Sequence, residues 1–442
     1  MKIALKNICL FLLQCYITLL TETFYNNFEK EKKMKKSNFL YSAILCAALF
    51  TVPHFVNASE EEKGPGHECT SWMVFSDLTK NNTNFLHKNR DATSRNIAVL
   101  MGKEEIAVVE KNFWENLITF WSEETKTVKR KWVGLGNSNE AGTYTHVCMG
   151  MNASGLAVVV NSGEKCVENN TDKTKKGTPA ILKALLESCD TAKEAVAKLE
   201  EFIKAKDYYH KKSGSIFFIM DTKEGYVCEM TAKFNSAMRY DKGYAVRANI
   251  WYNPGLPQRA DNNIKSYINS SVRAFVALTE LNTPLRKNGR ITVSDSLALA
   301  RNHIVPKDSP NPRSVCFKYT NSSSTLVVDK EFPAVLSTGY LTIGQPRHGI
   351  CVPVPICVET LDKRMTDLSW SKFVWARFDK KGLEAPIPEA WLAFEKKSFA
   401  EYESTLEKAR TLLREDKKAE AVKLLNDKAA SIWKEAAKIM GI

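Results

Sequence analysis

The period of the apolar pattern changes repeatedly along this chain, and that alternation limits the fold more than any other feature. From Cys69 to Gly163 the apolar residues sit in short, strand-like segments. "TSWMVF" and "TNFLHKNRD" flank a polar turn near Lys80 to Asn82, and "NIAVLMG", "EEIAVVE", "KWVGLG" and "THVCMGMNASGLAVVVNSG" follow. Gly155 reads as a turn and "LAVVV" as a buried strand. At Thr178 leucines and alanines begin to recur three and four positions apart. "TPAILKALLESCDTAKEAVAKLEEFIKA" therefore reads as two helices, with Asp190 as the cap of the second. Strands return in "GSIFFIMDTKEGYVCEMTA", a hairpin turning near Lys223 to Gly225, and in "YAVRANIWY". Two more helices, "SVRAFVALTELN" and "TVSDSLALARNH" (capped by Ser294 or Asp295), precede the closing strands "TLVVD" and "AVLSTGYLTIG". Clustered strands and clustered helices predict a layered α+β fold rather than a regular βαβ repeat. No internal repeat indicates a solenoid.

From Glu389 the chain is rich in Ala, Glu, Lys and Leu, with apolar residues at helical spacing and a break near Asp416. Two helices folded back on each other and on the body are expected over 389–442. They either cover apolar surface or form a homo-oligomer interface.

The amino terminus carries an export-like leader. From Met34, Lys35 and Lys36 precede an apolar run over Phe39 to Phe50, and Val56-Asn57-Ala58 has the small residues of a cleavage site. The run is short for a membrane span and is broken by Pro53 and His54, so cleavage after Ala58 is expected, with no stable membrane insertion afterwards. A second apolar stretch lies upstream, which points to Met34 as the natural start. The expected organisation is a signal region over 1–58, a short propeptide over 59–68, a main domain over 69–388 and the helical extension over 389–442. The location that follows is periplasmic or extracellular.

The net charge is +13, from 63 basic and 50 acidic residues. The lysines are interleaved with glutamates, and no nucleic-acid motif organises them, so nucleic acid is not an expected partner. Eight cysteines follow residue 58: Cys69, Cys148, Cys166, Cys189, Cys228, Cys316, Cys351 and Cys357. Neither they nor the scattered histidines have metal-ligand spacing, and no metal or cofactor is expected. Asp221 and Glu229 could pass for a pair of glycosidase carboxylates, but the turn between them marks a hairpin. The segment 112–131, with Trp114, Trp121 and Trp132 in and beside it, either forms part of a pocket rim or packs as a helix.

"PGHECTSWMVF" places Cys69 about ten residues after the expected leader cleavage. A cysteine exposed at a new amino terminus carries a thiol and an α-amine together. An unperturbed amine titrates near pH 7.7 to 8.0, so it can take the thiol proton without a histidine. Several segments resemble, in order, those of the amino-terminal-nucleophile cysteine hydrolases: "HECTSW" the maturation junction, "LHKNRDA" the strand that normally reads Arg-Asn-x-Asp, "GMNASGLAVVVNSG" the Gly-Met-Asn-x-x-Gly-Leu segment. "YAVRANIWY", "NSSVRAF" and "STGYLTIGQP" continue the series. The chain is similar to choloylglycine hydrolase, to the acyl-coenzyme A:isopenicillin N acyltransferase group and, more loosely, to the cysteine dipeptidases.

That resemblance implies a four-layer αββα sandwich and a set of roles. Cleavage after Glu68 would make Cys69 the nucleophile and, through its amine, the base. Asp91 would hold the amine. Lys88 stands where relatives carry Arg, supplying charge without a bidentate fork. Asn161 and Asn249 would aim amide donors at the oxyanion, and Arg273 would complete the network from the start of its helix. The substrate would be a small acylated amine, amino acid or short peptide with a linear amide. An amine in place of water would make the enzyme an acyltransferase. Lys88, together with Ile250 where relatives often have His, leaves open a secreted binding protein that has lost the chemistry.

Overall fold

Strand alternation builds the centre of the molecule. The computed structural model describes residues 69–80, 83–109, 124–139, 145–166, 168–210, 213–261, 264–304 and 314–442. The leader, Ala58, the propeptide and Glu68 lie outside the described residues, as do Trp114 and Trp121. Fifteen described strands are β1 Cys69–Val74, β2 Asn84–Asp91, β3 Ile97–Gly102, β4 Glu105–Val109, β5 Glu124–Lys129, β6 Trp132–Ser138, β7 Thr145–Asn152, β8 Ala157–Lys165, β9 Ser213–Met220, β10 Gly225–Met230, β11 Asn235–Tyr240, β12 Tyr244–Arg247, β13 Thr320–Val328, β14 Thr338–Ile343 and β15 Val352–Pro355. They form a six-stranded sheet, β12-β1-β2-β13-β14-β15, a seven-stranded sheet, β11-β10-β9-β8-β7-β6-β3, and a β4-β5 ribbon. "EEIAVVE" thus forms a separate ribbon instead of extending a sheet, and all described strand pairs are antiparallel.

The two large sheets lie face to face. Met73, Leu86, Leu326, Val328 and Leu341 of one join Val99, Leu135, Met149, Val159 and Phe218 of the other in one buried cluster. Each such side chain contributes about 1.5–3 kcal/mol by leaving water. Outside the seven-stranded sheet pack α1 Thr178–Ser188 and α2 Ala192–Lys204, with Leu182, Leu185 and Leu199 against Val158, Phe217 and Ile219. Trp132 belongs to this outer cluster, so it is core and not pocket rim. Outside the six-stranded sheet pack α3 Ile264–Asn288 and α4 Val293–Ala300, with Ala277, Leu281 and Leu299 against Trp72, Val74 and Phe85. The order is helix, sheet, sheet, helix: an α+β fold in four layers.

Two helix caps differ from expectation. The α2 cap is Thr191, whose side chain accepts from Glu194 N–H at 3.2 Å. Asp190 instead takes a bidentate Arg130 at 2.5 and 2.6 Å, a stronger charge-assisted arrangement. For α4 the cap is Thr292, with Asp295 at the third helical position closing a reciprocal capping box.

Three long helices, α5 Ser369–Lys381, α6 Glu389–Arg414 and α7 Lys418–Met440, follow β15 and a single helical turn at Lys363–Thr366. Asp416, at φ 60, turns the chain between the last two. Their Phe399, Tyr402 and Trp433 join the main core, and Trp433 Nε1 donates to Pro353 O at 2.8 Å. Glu395 of α6 receives Arg301 through two bonds at 2.6 and 2.7 Å, and also the N–H of Cys351 at 2.6 Å. The extension is therefore stapled into the body by a buried ion pair as well as by apolar packing.

Candidate active site

Register brings one set of polar side chains onto the inner face of the six-stranded sheet. Cys69 lies opposite Arg90 and Ser71 opposite Lys88. On the other side of β2, Lys88 lies opposite Ser324 and Arg90 opposite Ser322. Directly paired residues project to the same side, and every second residue of a strand shares that side. Met73 and Leu86 are in the inter-sheet core, so Cys69, Ser71, Lys88, Arg90, Ser322 and Ser324 continue that face at the end where apolar packing stops. Across the gap stand Asn161, two residues beyond Val159, and Asn137 and His146, paired on β6 and β7.

Lys88 spans the two sheets. Its fully buried Nζ donates to Val160 O at 2.6 Å and to Asn161 Oδ1 at 2.9 Å. Asn161 Oδ1 also accepts from Ser71 Oγ at 2.7 Å, while Asn161 Nδ2 donates to Ala248 O at 3.0 Å and Arg247 O at 3.3 Å. Lys88 can only donate and the carbonyls can only accept, so the amide orientation is fixed by its partners. This corrects the expectation for Asn161: its amide donors are turned to the carbonyls of Arg247 and Ala248 at the end of β12, and its oxygen anchors Lys88.

The strand end at Arg247 sets the position of Asn249. The β1–β12 register pairs Ser71 with Arg247, which carries Asn249 alongside Cys69. Asn249 Oδ1 accepts the Cys69 N–H at 2.9 Å and Arg273 Nη2 at 2.7 Å, and its Nδ2 donates to Ser162 O at 2.7 Å. Asn249 therefore presents its oxygen to Cys69, where a donor to the oxyanion was expected. Trp251 seats this segment. Its indole lies over Gly163, where a Cβ would come within 2.5 Å of Nε1, so only glycine fits.

Arg273 is brought in from the helix layer. It lies well inside α3 rather than at the helix start, and is fully buried. Its Nη1 donates to Cys69 O at 2.6 Å and to Thr70 Oγ1 at 2.9 Å, with Nε on Asn269 Oδ1 at 3.1 Å. The nitrogen and carbonyl of Cys69 are thus both held by side chains. Asp91, one residue beyond the partner of Cys69, accepts Thr320 Oγ1 at 2.6 Å and has further interactions.

Behind the site, on the outer face of β2, lies a buried chain of hydrogen bonds. Asn89 Nδ2 donates to Ala300 O at 2.7 Å and Val315 O at 3.0 Å, leaving its Oδ1 to accept from His87 Nε2 at 3.1 Å. His87 Nδ1 therefore accepts, from Thr325 Oγ1 at 2.8 Å, and the ring stacks on Trp72 at 3.9 Å. Burial pushes the imidazole down to about 3, so it is neutral.

Sequence reasoning gave Arg90 no role, and it missed Ser71, Asn269 and Ser324. The available signal was alternation: 69 and 71, like 88 and 90, must share a face. It also missed Glu164, which accepts Trp251 N–H at 3.0 Å and is pushed up to about 7 by burial and by nearby Glu229. Asp221 and Glu229 are engaged as structure: Asp221 accepts three backbone N–H groups, and Glu229 pairs with Arg247. All eight cysteines among the described residues are free and buried. A surface concavity of about 470 Å³, lined by Glu168, Gly255, Gln258 and Arg259, lies over an internal Arg259–Glu168 ion pair and offers no nucleophile.

No curated protein matches the chain. Among solved structures, a mutant of conjugated bile acid hydrolase from Clostridium perfringens is similar at 13% identity and TM-score 0.43, covering 66% of this chain and 94% of that one. A second variant of the same hydrolase gives 12% identity and TM-score 0.44, covering 72% and 95%. Penicillin V acylase from Agrobacterium tumefaciens gives 14% identity and TM-score 0.39, covering 65% and 86%. The profile of the acyl-coenzyme A:6-aminopenicillanic acid acyl-transferase family matches residues 78–328, more than half of the chain, a span that holds Lys88, Asp91, Asn161, Asn249 and Arg273 and begins nine residues after Cys69. The chain belongs to the acyl-coenzyme A:6-aminopenicillanic acid acyl-transferase family, within the amino-terminal-nucleophile hydrolases that its sequence resembles.

Proposed function

We propose that the protein is an exported cysteine amidohydrolase that works through an acyl-enzyme on Cys69, after cleavage between Glu68 and Cys69 has freed its amine. The observation that carries this reading is the Cys69 N–H bond to Asn249 Oδ1 at 2.9 Å. In the uncut chain that nitrogen is a peptide N–H. As a terminal amine it would keep the same acceptor and gain Asp91 as a second one, which would direct its lone pair towards the thiol. The amine takes the thiol proton, and the sulfur attacks the amide carbonyl to give a tetrahedral oxyanion. The C–N bond then breaks as the leaving amine collects the proton. Water, activated by the same amine, releases the acid.

Lys88 supplies positive charge to this space. Its two hydrogen bonds go to neutral oxygens, and no carboxylate pairs with it among the described residues. A preorganised charge of this kind acts on the oxyanion without reorganising in the transition state. Asn161 positions Lys88, Asn249 orients the amine, and Arg273 fixes the Cys69 carbonyl.

Active protein should contain a chain beginning at Cys69 by intact mass. The Cys69→Ala protein should stay uncut and inactive in an amide-library screen; full activity from it would end the proposal, as would activity from a chain that retains residues 59–68. The acyl-transferase family name favours a second reading, in which an amine captures the acyl group. Products formed with and without an added amine acceptor separate the two.

A further inference from the structure

Among the described residues, the inner face beside Cys69 carries two cations and no acid. Arg90, the cross-strand neighbour of Cys69, is 8% exposed, and among the described residues its one side-chain hydrogen bond runs from Nη1 to the neutral Asn137 Oδ1 at 2.8 Å. Lys88, two residues back on the same face, is likewise bonded only to neutral oxygens. Among the described residues no carboxylate comes within ion-pair distance of either. A guanidinium presents five donors in a planar fork, and the single bond to Asn137 leaves most of those of Arg90 without a partner among the described residues. A second signal comes from the cross-strand partner of Lys88: Ser324 is fully buried on this face, and its Oγ has no hydrogen-bond partner. A hydroxyl and two cations without acidic partners among the described residues thus share the sheet face that carries Cys69.

We infer that the substrate carries a carboxylate seated on Arg90, and that Arg90 is the residue selecting for it. This deepens the reading of Cys69 as nucleophile and rests on it. The Arg90 fork fits the two carboxylate oxygens, and Ser324 Oγ–H is a further donor on the same face. Lys88 is left to the oxyanion. A neutral amide of the same size would leave the guanidinium uncompensated, so selection comes from the unpaired charge as well as from the new bond. The anionic group belongs either to the acyl fragment or to the amine fragment.

Alkylation of Cys69 tests this without a known substrate. In mature enzyme the sulfur displaces iodide from iodoacetate or iodoacetamide, two reagents of similar size that differ in charge. A cationic site enriches the anion, so the iodoacetate-to-iodoacetamide rate ratio, referred to the same ratio on free cysteine, should be raised roughly tenfold or more. Arg90→Gln, which can still hydrogen-bond Asn137, should bring it near unity, and Arg90→Lys should restore part of it. A ratio near unity in the wild type, or one unchanged by Arg90→Gln, overturns the inference. If neither reagent labels Cys69, the nucleophile reading fails by itself, and glutarate decides the anion site: a thermal shift present in wild type and lost in Arg90→Gln supports it, and no shift overturns it. Turnover of succinic mono-p-nitroanilide against N-acetylglycine then assigns the charge to the acyl or the amine fragment.

Discussion

Acidification should unfold this protein through one buried ring. His87 is held neutral with its ordinary value of 6.5 lowered to about 3, chiefly by burial, with Lys88 adding repulsion against the bond to Asn89. The unfolded chain takes up a proton near 6.5, and the folded chain does so only near 3. The group's contribution is therefore intact above pH 6.5 and is lost as pH falls from there towards 3. At roughly 1.4 kcal/mol per unit of separation the whole loss is about 5 kcal/mol, of which about 2 is gone by pH 5 and about 3 by pH 4. Urea unfolding of wild type and His87→Gln between pH 7.5 and 4 isolates the ring, because all other titrating groups are common to both. Losing the 3.9 Å stack on Trp72 costs the variant a pH-independent offset of about 1 kcal/mol. Below pH 6.5 the two stabilities should converge and then cross. A difference that stays flat from pH 6.5 to 4 would refute the burial argument.

Other perturbations follow from the same contacts. Glu395→Ala leaves Arg301 buried without its partner and should cost about 3–5 kcal/mol in urea unfolding, whereas replacing both residues by Met should recover most of it. Lys88→Met should leave the fold intact by circular dichroism and lower kcat roughly 100-fold or more; an unaltered kcat would remove Lys88 from the chemistry. Thr292→Ala opens the capping box at α4 and should cost about 1 kcal/mol, read as a fall in Tm.

Elements with a strong local period were legible in advance. The helices at Thr178–Ser188 and Glu389–Arg414, the hairpin of β9 and β10 and the turn at Asp416 stand where the pattern puts them. Caps were less legible, because Asp190 and Thr191 are both good caps and the choice fell to Arg130, a residue distant in sequence. At the candidate site, motif order singled out Cys69, Lys88, Asp91, Asn161, Asn249 and Arg273, and the structure places Cys69 in contact with Asn249 and Arg273, and Lys88 with Asn161. It could not tell which end of each asparagine amide faces the nucleophile. It also passed over Arg90, since a charged residue beside an aspartate looks like ordinary surface until its pairing with Cys69 is known.

Alone, the order of residues determined the alternation of strand and helix, and hence the α+β layering, together with the face shared by positions 88 and 90. Both are consequences of backbone periodicity, which acts over a few residues. Only the tertiary structure decided that Lys88 and Arg90 would turn inward beside Cys69 without acidic partners, and that a helix residue more than two hundred positions away would hold the Cys69 carbonyl. Those outcomes depend on strand register and on sheet-to-sheet and helix-to-sheet packing, which are set by contacts between segments far apart in the chain.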